Sequence, residues 1–143
     1  MSKHWILIAV IAAFVAGCGS GYVKRTEQFA TRVKGVVNPD ELQAWATNLI
    51  ARTTIVDPKT PVEVSEADVP GFIRAIYNEN PEEVDVFGET KGAGNADAYV
   101  QITYGSGFGH WGLYVGFPTL QEKSDANFYV VQWKPGIYFW DGP

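Results

Sequence analysis

The chain has 143 residues, with 11 Lys and Arg against 16 Asp and Glu, a formal net charge of −5, two histidines and one cysteine. That length suits a single ordinary domain, and the acidic balance argues against nucleic acid as a partner, which requires a basic face. One cysteine excludes an internal disulfide framework, and a metal site would have to rest almost entirely on carboxylates.

The first element is the segment Met1-Ser2-Lys3-His4-Trp5, followed by an apolar stretch from Ile6 to Ala16 and then by Gly17 and Cys18. A basic start, a short apolar region and a small-residue cleavage point are the three zones of a secretory signal. The stretch is too short to span a bilayer, which takes roughly 20 apolar residues. Val15-Ala16-Gly17-Cys18 resembles the lipobox of bacterial lipoprotein precursors. In that family the cysteine thiol accepts a diacylglyceryl group, the chain is cut just before it, and the new amino terminus is usually acylated. The resemblance covers about the first eighteen residues. It implies a cleaved signal peptide over 1–17, a lipid anchor on Cys18 and residence at a membrane on the exported side of a bacterial cell envelope. Gly19 and Ser20 follow, without an aspartate, as in the outer-membrane sorting pattern of enteric bacteria. Two or more acyl chains hold stably, whereas one does not.

Residues 18–37 read as a lipid-anchored tether, either helical or a partly ordered stalk, since Phe29, Val33, Val36 and Val37 recur at near-helical spacing. Lys24, Arg25, Arg32 and Lys34 make it basic, against Glu27 alone. Each basic side chain near anionic headgroups contributes on the order of 1 kcal/mol, so an acidic domain spanning 38–143 is expected to be held close to the membrane without embedding. Asn38-Pro39-Asp40-Glu41 predicts a helix start, with Asn38 as cap and Pro39 in the first turn. Leu42, Trp45, Leu49 and Ile50 then form an apolar stripe, and Asp57-Pro58 is the expected stop. Pro61 to Val64 reads as a short strand, and Ser65-Glu66-Ala67-Asp68 has the spacing of another helix start, which Pro70 and Gly71 convert into an expected irregular or tight turn. A short helix is expected near Gly71 to Tyr77 with Phe72, Ile73 and Ile76 inward, stopped by Asn78-Glu79-Asn80-Pro81.

From Val84 the period changes to two. Val84 to Phe87, Ala98 to Tyr104, Leu113 to Phe117, Asn127 to Trp133 and Ile137 to Trp140 read as strands, the last two joined at Lys134-Pro135-Gly136. The expected fold is α+β, an antiparallel sheet of about five strands with two or three N-terminal helices packed on one face. Alternation puts Val100, Ile102, Leu113 and Val115 beneath the helix that carries Trp45 and Leu49. It puts Tyr99, Thr103, Tyr114, Tyr129, Trp133, Tyr138 and Trp140 on the other face, either as a ledge for sugars, peptides or headgroups or as good sheet-forming pairs.

Gly107-Phe108-Gly109-His110-Trp111-Gly112 matches a dinucleotide fingerprint in letters, but a strand follows it where the fingerprint needs a helix. Glycines in a hairpin supply turns or close backbone approach. His110 is the only histidine beyond the signal, and Ser106 and Asp97 lie near it in sequence, which defines an alternative as a small envelope hydrolase centred on His110 and Ser106. No G-x-S-x-G accompanies them. Glu82, Glu83 and Asp85 read as a solvated strand end, not as a glycosidase pair. The expectation is therefore a binding or scaffolding module and no enzyme, with no catalytic, cofactor or metal residues. Its ligand surface would comprise Tyr99, His110, Trp111, Tyr114 and Trp133, and its partner would be an envelope protein or glycan. An inert spacer, with every aromatic ring in the core, is a third reading.

Overall fold

A computed structural model describes residues 21–88, 96–105, 109–123 and 127–143. Cys18 with the residues before it, read above as a signal, and Ser106 lie outside these.

Residues 21–36 are helical (α1). Helix α2 runs Pro39–Arg52, and the Asn38 side chain accepts from the amides of Asp40 (2.9 Å) and Glu41 (3.3 Å), satisfying donors the first turn leaves orphaned. The helix ends at Arg52, five residues before Asp57. Thr53-Thr54-Ile55-Val56 is a β-branched run that resists helical χ1 crowding, and Thr53 closes the end by returning its amide and hydroxyl to the Leu49 carbonyl. A 3₁₀ turn at Glu66–Asp68 is capped by Ser65, and α3 covers Gly71–Arg74, with Asn78 at φ 58° in the reversal that follows.

Six strands form one sheet: β1 (Val62–Glu63), β2 (Glu83–Phe87), β3 (Tyr99–Tyr104), β4 (His110–Gly116), β5 (Tyr129–Lys134) and β6 (Ile137–Gly142), in the order β1-β2-β3-β4-β6-β5. Every pairing is antiparallel, so the fold is α+β with the helices N-terminal to the sheet. The sixth strand is the short Val62–Glu63 piece. Gly136, at φ +81°, makes the β5–β6 turn; Gln43 of α2 donates to the carbonyls of Pro135 (2.9 Å) and Gly116 (3.0 Å) and ties that turn to the helix layer.

One row across the sheet, Val84, Ile102, Leu113 and Phe139, points at the helices and is buried with Val86, Val100 and Val115. Leu42, Ala46, Leu49 and Ile50 of α2 cover it, and Trp45, half-buried, packs edge-on against Phe72. Two expectations need correcting here. Residues 21–37 are no tether outside the domain, because Phe29, Val33 and Val37 lie in the main core and Phe29 packs on Tyr104 and Phe139. The domain boundary placed at residue 38 therefore moves to include α1. Tyr129 and Trp133 also face the helices and not the opposite side: Tyr129 pairs with Asp141, Val130 with Trp140, and a bulge lies between Gln132 and Lys134. A one-residue offset in a period-two element exchanges the faces.

Arg25 fixes α1 in place. Its Nε donates to Asp141 Oδ2 at 2.6 Å and its Nη2 to Oδ1, and the carboxylate is 0% exposed against 33% for the guanidinium. The guanidinium also lies 5.0 Å from the Trp111 ring centroid and 5.6 Å from that of Tyr22. The hydrogen bond to Asp141 raises the Arg25 pKa further above its usual value, with desolvation opposing. Arg32 lies over Tyr77 at 4.7 Å. Lys34 lies 5.6 Å from the Phe139 ring centroid, so three of the four basic side chains expected to face a membrane are engaged within the domain.

Candidate functional site

Helices cover one sheet face, and the other carries a polar concave surface. Register places Glu83, Thr103, Gly112 and Trp140 in one row across β2, β3, β4 and β6. Asp85, Gln101, Tyr114 and Tyr138 form the next. Gly112 is what allows the Trp140 indole to lie across β4: a Cβ there would come within 2.9 Å of the indole nitrogen and overlap the Ile102 carbonyl oxygen. Tyr114 stacks on Trp140 (centroids 5.5 Å apart, planes at 10°), and Phe128 meets the indole edge-on at 5.7 Å.

The resulting cavity, about 350 Å³, is lined by Glu83, Gln101, Thr103, His110, Tyr114 and Trp140, among others. Such a volume falls at the small end of ligand pockets. Gln101 donates to Thr103 Oγ1 at 3.2 Å, which aligns the polar wall. The Trp140 indole N–H is buried and has no hydrogen-bond partner among the described residues. An unpartnered buried donor costs about 1–3 kcal/mol, and Trp140 is only 2% exposed, so bulk water does not relieve it.

His110 Nδ1 lies 3.1 Å from the Gly105 carbonyl oxygen and 3.6 Å from Glu82 Oε2. A carbonyl oxygen only accepts, so Nδ1 carries the proton and neutral His110 keeps Nε2 as an acceptor. Asp85 sits directly opposite Glu63 on β1, two residues from Glu83. Burial raises its carboxyl pKa above the usual range, and the charges of Glu83 and Glu63 add to this. The folded state therefore holds a proton at pH values where the unfolded chain has lost it, and stability falls as pH rises through that window. Asp85→Asn is expected to stabilise the domain by about 0.2–1 kcal/mol at neutral pH, the range for like charges directly opposed across strands. The gain should vanish below the ordinary carboxylate range; chemical denaturation at several pH values measures it.

Of the residues expected from sequence to form a ligand surface, His110 and Tyr114 line this cavity, and Tyr99 lies beside it, its ring 5.3 Å from Tyr114 and stacked on Phe87. Trp111 and Trp133 are on the helix face. Trp111 donates to the Tyr77 hydroxyl at 3.2 Å, and Trp133 stacks on Phe139 at 5.5 Å. The aromatic ledge is not an open one. Tyr114, Tyr138 and Trp140 are buried with Leu120, whose carbonyl accepts from the Tyr138 hydroxyl at 2.8 Å. Glu83 and Gln101 share the parity of Asp85 and Thr103 and were within reach of sequence reasoning; their meeting with Trp140 required the register. Among the described residues no group of three His, Cys, Asp or Glu could hold a metal ion, and no helix is long and apolar enough to cross a membrane. Comparison with protein-family models, curated proteins and solved structures finds no match to this chain.

Proposed function

We propose that the chain is a lipid-anchored protein of a bacterial envelope, moored through Cys18, whose domain binds a neutral or cationic polar ligand such as an envelope glycan on the outer sheet face and performs no catalysis. The binding role is supported above all by the enclosed, unpartnered indole N–H of Trp140 in a polar cavity. The N–H is closed to water, so a ligand hydroxyl or amide oxygen that accepts from it enters as the cavity wall opens and removes a standing desolvation cost. Glu83 and the His110 Nε2 accept in turn, so a group that both donates and accepts, as a sugar hydroxyl does, fits the wall best. Glu83, with Asp85 and Glu63 behind it, disfavours anions. Tyr114 and Trp140 are 6% and 2% exposed, so recognition works through hydrogen bonds and not through stacking on open rings.

Neutral oligosaccharides from envelope material should raise the melting temperature of the wild type and not of Trp140→Phe, which keeps the ring and loses the N–H. Equal shifts in both would refute the site. Intact-mass measurement of native material should find a chain beginning at Cys18 with the mass of a diacylglyceryl group and an acyl chain; an unmodified thiol would refute the anchor. The rival hydrolase draws on the His110 Nε2, which has no hydrogen-bond partner among the described residues. It is favoured instead if the chain turns over small esters and His110→Ala abolishes that turnover.

A further inference from the structure

The sheet order ends at β5, opposite the edge formed by the two-residue β1. Strand β5 is a terminal strand, paired among the described residues with β6 alone, and Val131 on it is 37% exposed. Six residues with one charge, Lys134 at the far end, leave this edge with little of the protection that isolated edge strands normally carry. Beside it runs a groove of about 460 Å³ between α1 and β5, lined by Glu27, Ala30, Thr31 and Lys34 on the helix and Tyr129 and Val131 on the strand. Thr26 also lines it, with a buried hydroxyl that has no hydrogen-bond partner among the described residues.

The groove is self-complementary. Glu27 and Lys34 are two helical turns apart, about 10 Å, with the small Ala30 and Thr31 between them. Neither has an ion-pair partner among the described residues, and the Lys34 ammonium lies 5.6 Å from the Phe139 ring centroid, a contact it would exchange for Glu27 of the second copy. A two-fold axis normal to the sheet through Val131 would pair β5 with its copy antiparallel and bring the two α1 helices together antiparallel. Glu27 of each chain then faces Lys34 of the other. On the same face Tyr129 meets Trp133 of the second copy, an aromatic cross-strand pair, and Lys134 faces no like charge. An isologous contact of this kind closes and does not propagate.

We infer that the protein forms a two-fold dimer through β5 and α1, joining two sheets edge to edge. The register makes it testable in the full-length chain in its native membrane. Val131→Cys places two equivalent residues opposite one another, Cα atoms roughly 4.5–5.5 Å apart and within disulfide range. Oxidation should yield a reducible band at twice the chain mass. Wild type, whose only cysteine is Cys18, should give none, and neither should Gln132→Cys, which faces residue 130. Adding Glu27→Lys should remove most of the crosslink, and adding Glu27→Lys with Lys34→Glu should restore it. Absence of the Val131→Cys dimer, equal crosslinking from Gln132→Cys, or a crosslink only to a different protein would each overturn the dimer.

Discussion

Arg25→Ala is expected to destabilise the domain by about 3–5 kcal/mol, the range for removing one partner of a buried ion pair. Asp141 is wholly buried and receives two hydrogen bonds from Arg25, so the truncated variant leaves a carboxylate without its counter-ion in a low-dielectric site. It also removes the cation lying over Trp111 and the link that holds α1 to β6. Against a typical domain stability of about 5–15 kcal/mol, that loss leaves little margin. The double variant Arg25→Met with Asp141→Leu should recover most of it, because a buried pair replaced by apolar side chains of similar size is often neutral. Urea unfolding midpoints for the single and double variants measure both. A loss under about 1 kcal/mol for Arg25→Ala would mean that the core contacts of α1 hold it without the clamp.

Gly112→Ala is the second large effect, expected to exceed about 3 kcal/mol, at the upper end of overpacking penalties. Its Cβ would overlap the Ile102 carbonyl oxygen, a backbone atom of the neighbouring strand that cannot swing aside. Relief requires β3 and β4 to separate in the middle of the sheet, and the Trp140 indole must move as well. By contrast, the helical Gly35 has open space around its Cβ position, and Gly35→Ala should be neutral or stabilising by a few tenths of a kcal/mol. Thermal unfolding of the two variants separates close approach from mere glycine content. Similar melting temperatures would contradict the packing of the indole over β4.

Local chemistry made some elements legible. Asn38 and Pro39 announced α2 because capping acts within three residues, and Val100, Ile102, Leu113 and Val115 found their shared face through strict alternation. The membership of α1 in the domain was hidden because its strongest tie, Arg25 to Asp141, spans 116 positions in sequence. Basic side chains in a polar segment read as a solvated tether when the buried carboxylate they serve is at the other end of the chain. The face of Tyr129 and Trp133 was misassigned because parity continues only until a bulge, and the one at Gln132 to Lys134 has no proline or glycine inside it to mark it. The candidate site was half legible. His110 and Tyr114 stood out by residue type, but the row that sets Glu83, Thr103 and Trp140 about Gly112 exists only through the pairing register of four strands.

The indole proton of Trp140 reports most directly on the proposed role of the outer face. With ¹⁵N-labelled tryptophan, titration with neutral envelope oligosaccharides should shift the Trp140 indole resonance and slow its exchange with water. The Trp111 and Trp133 resonances, on the helix face, should stay in place. A Trp140 signal indifferent to every ligand that binds, or shifts confined to Trp111 and Trp133, would contradict a binding site on this face.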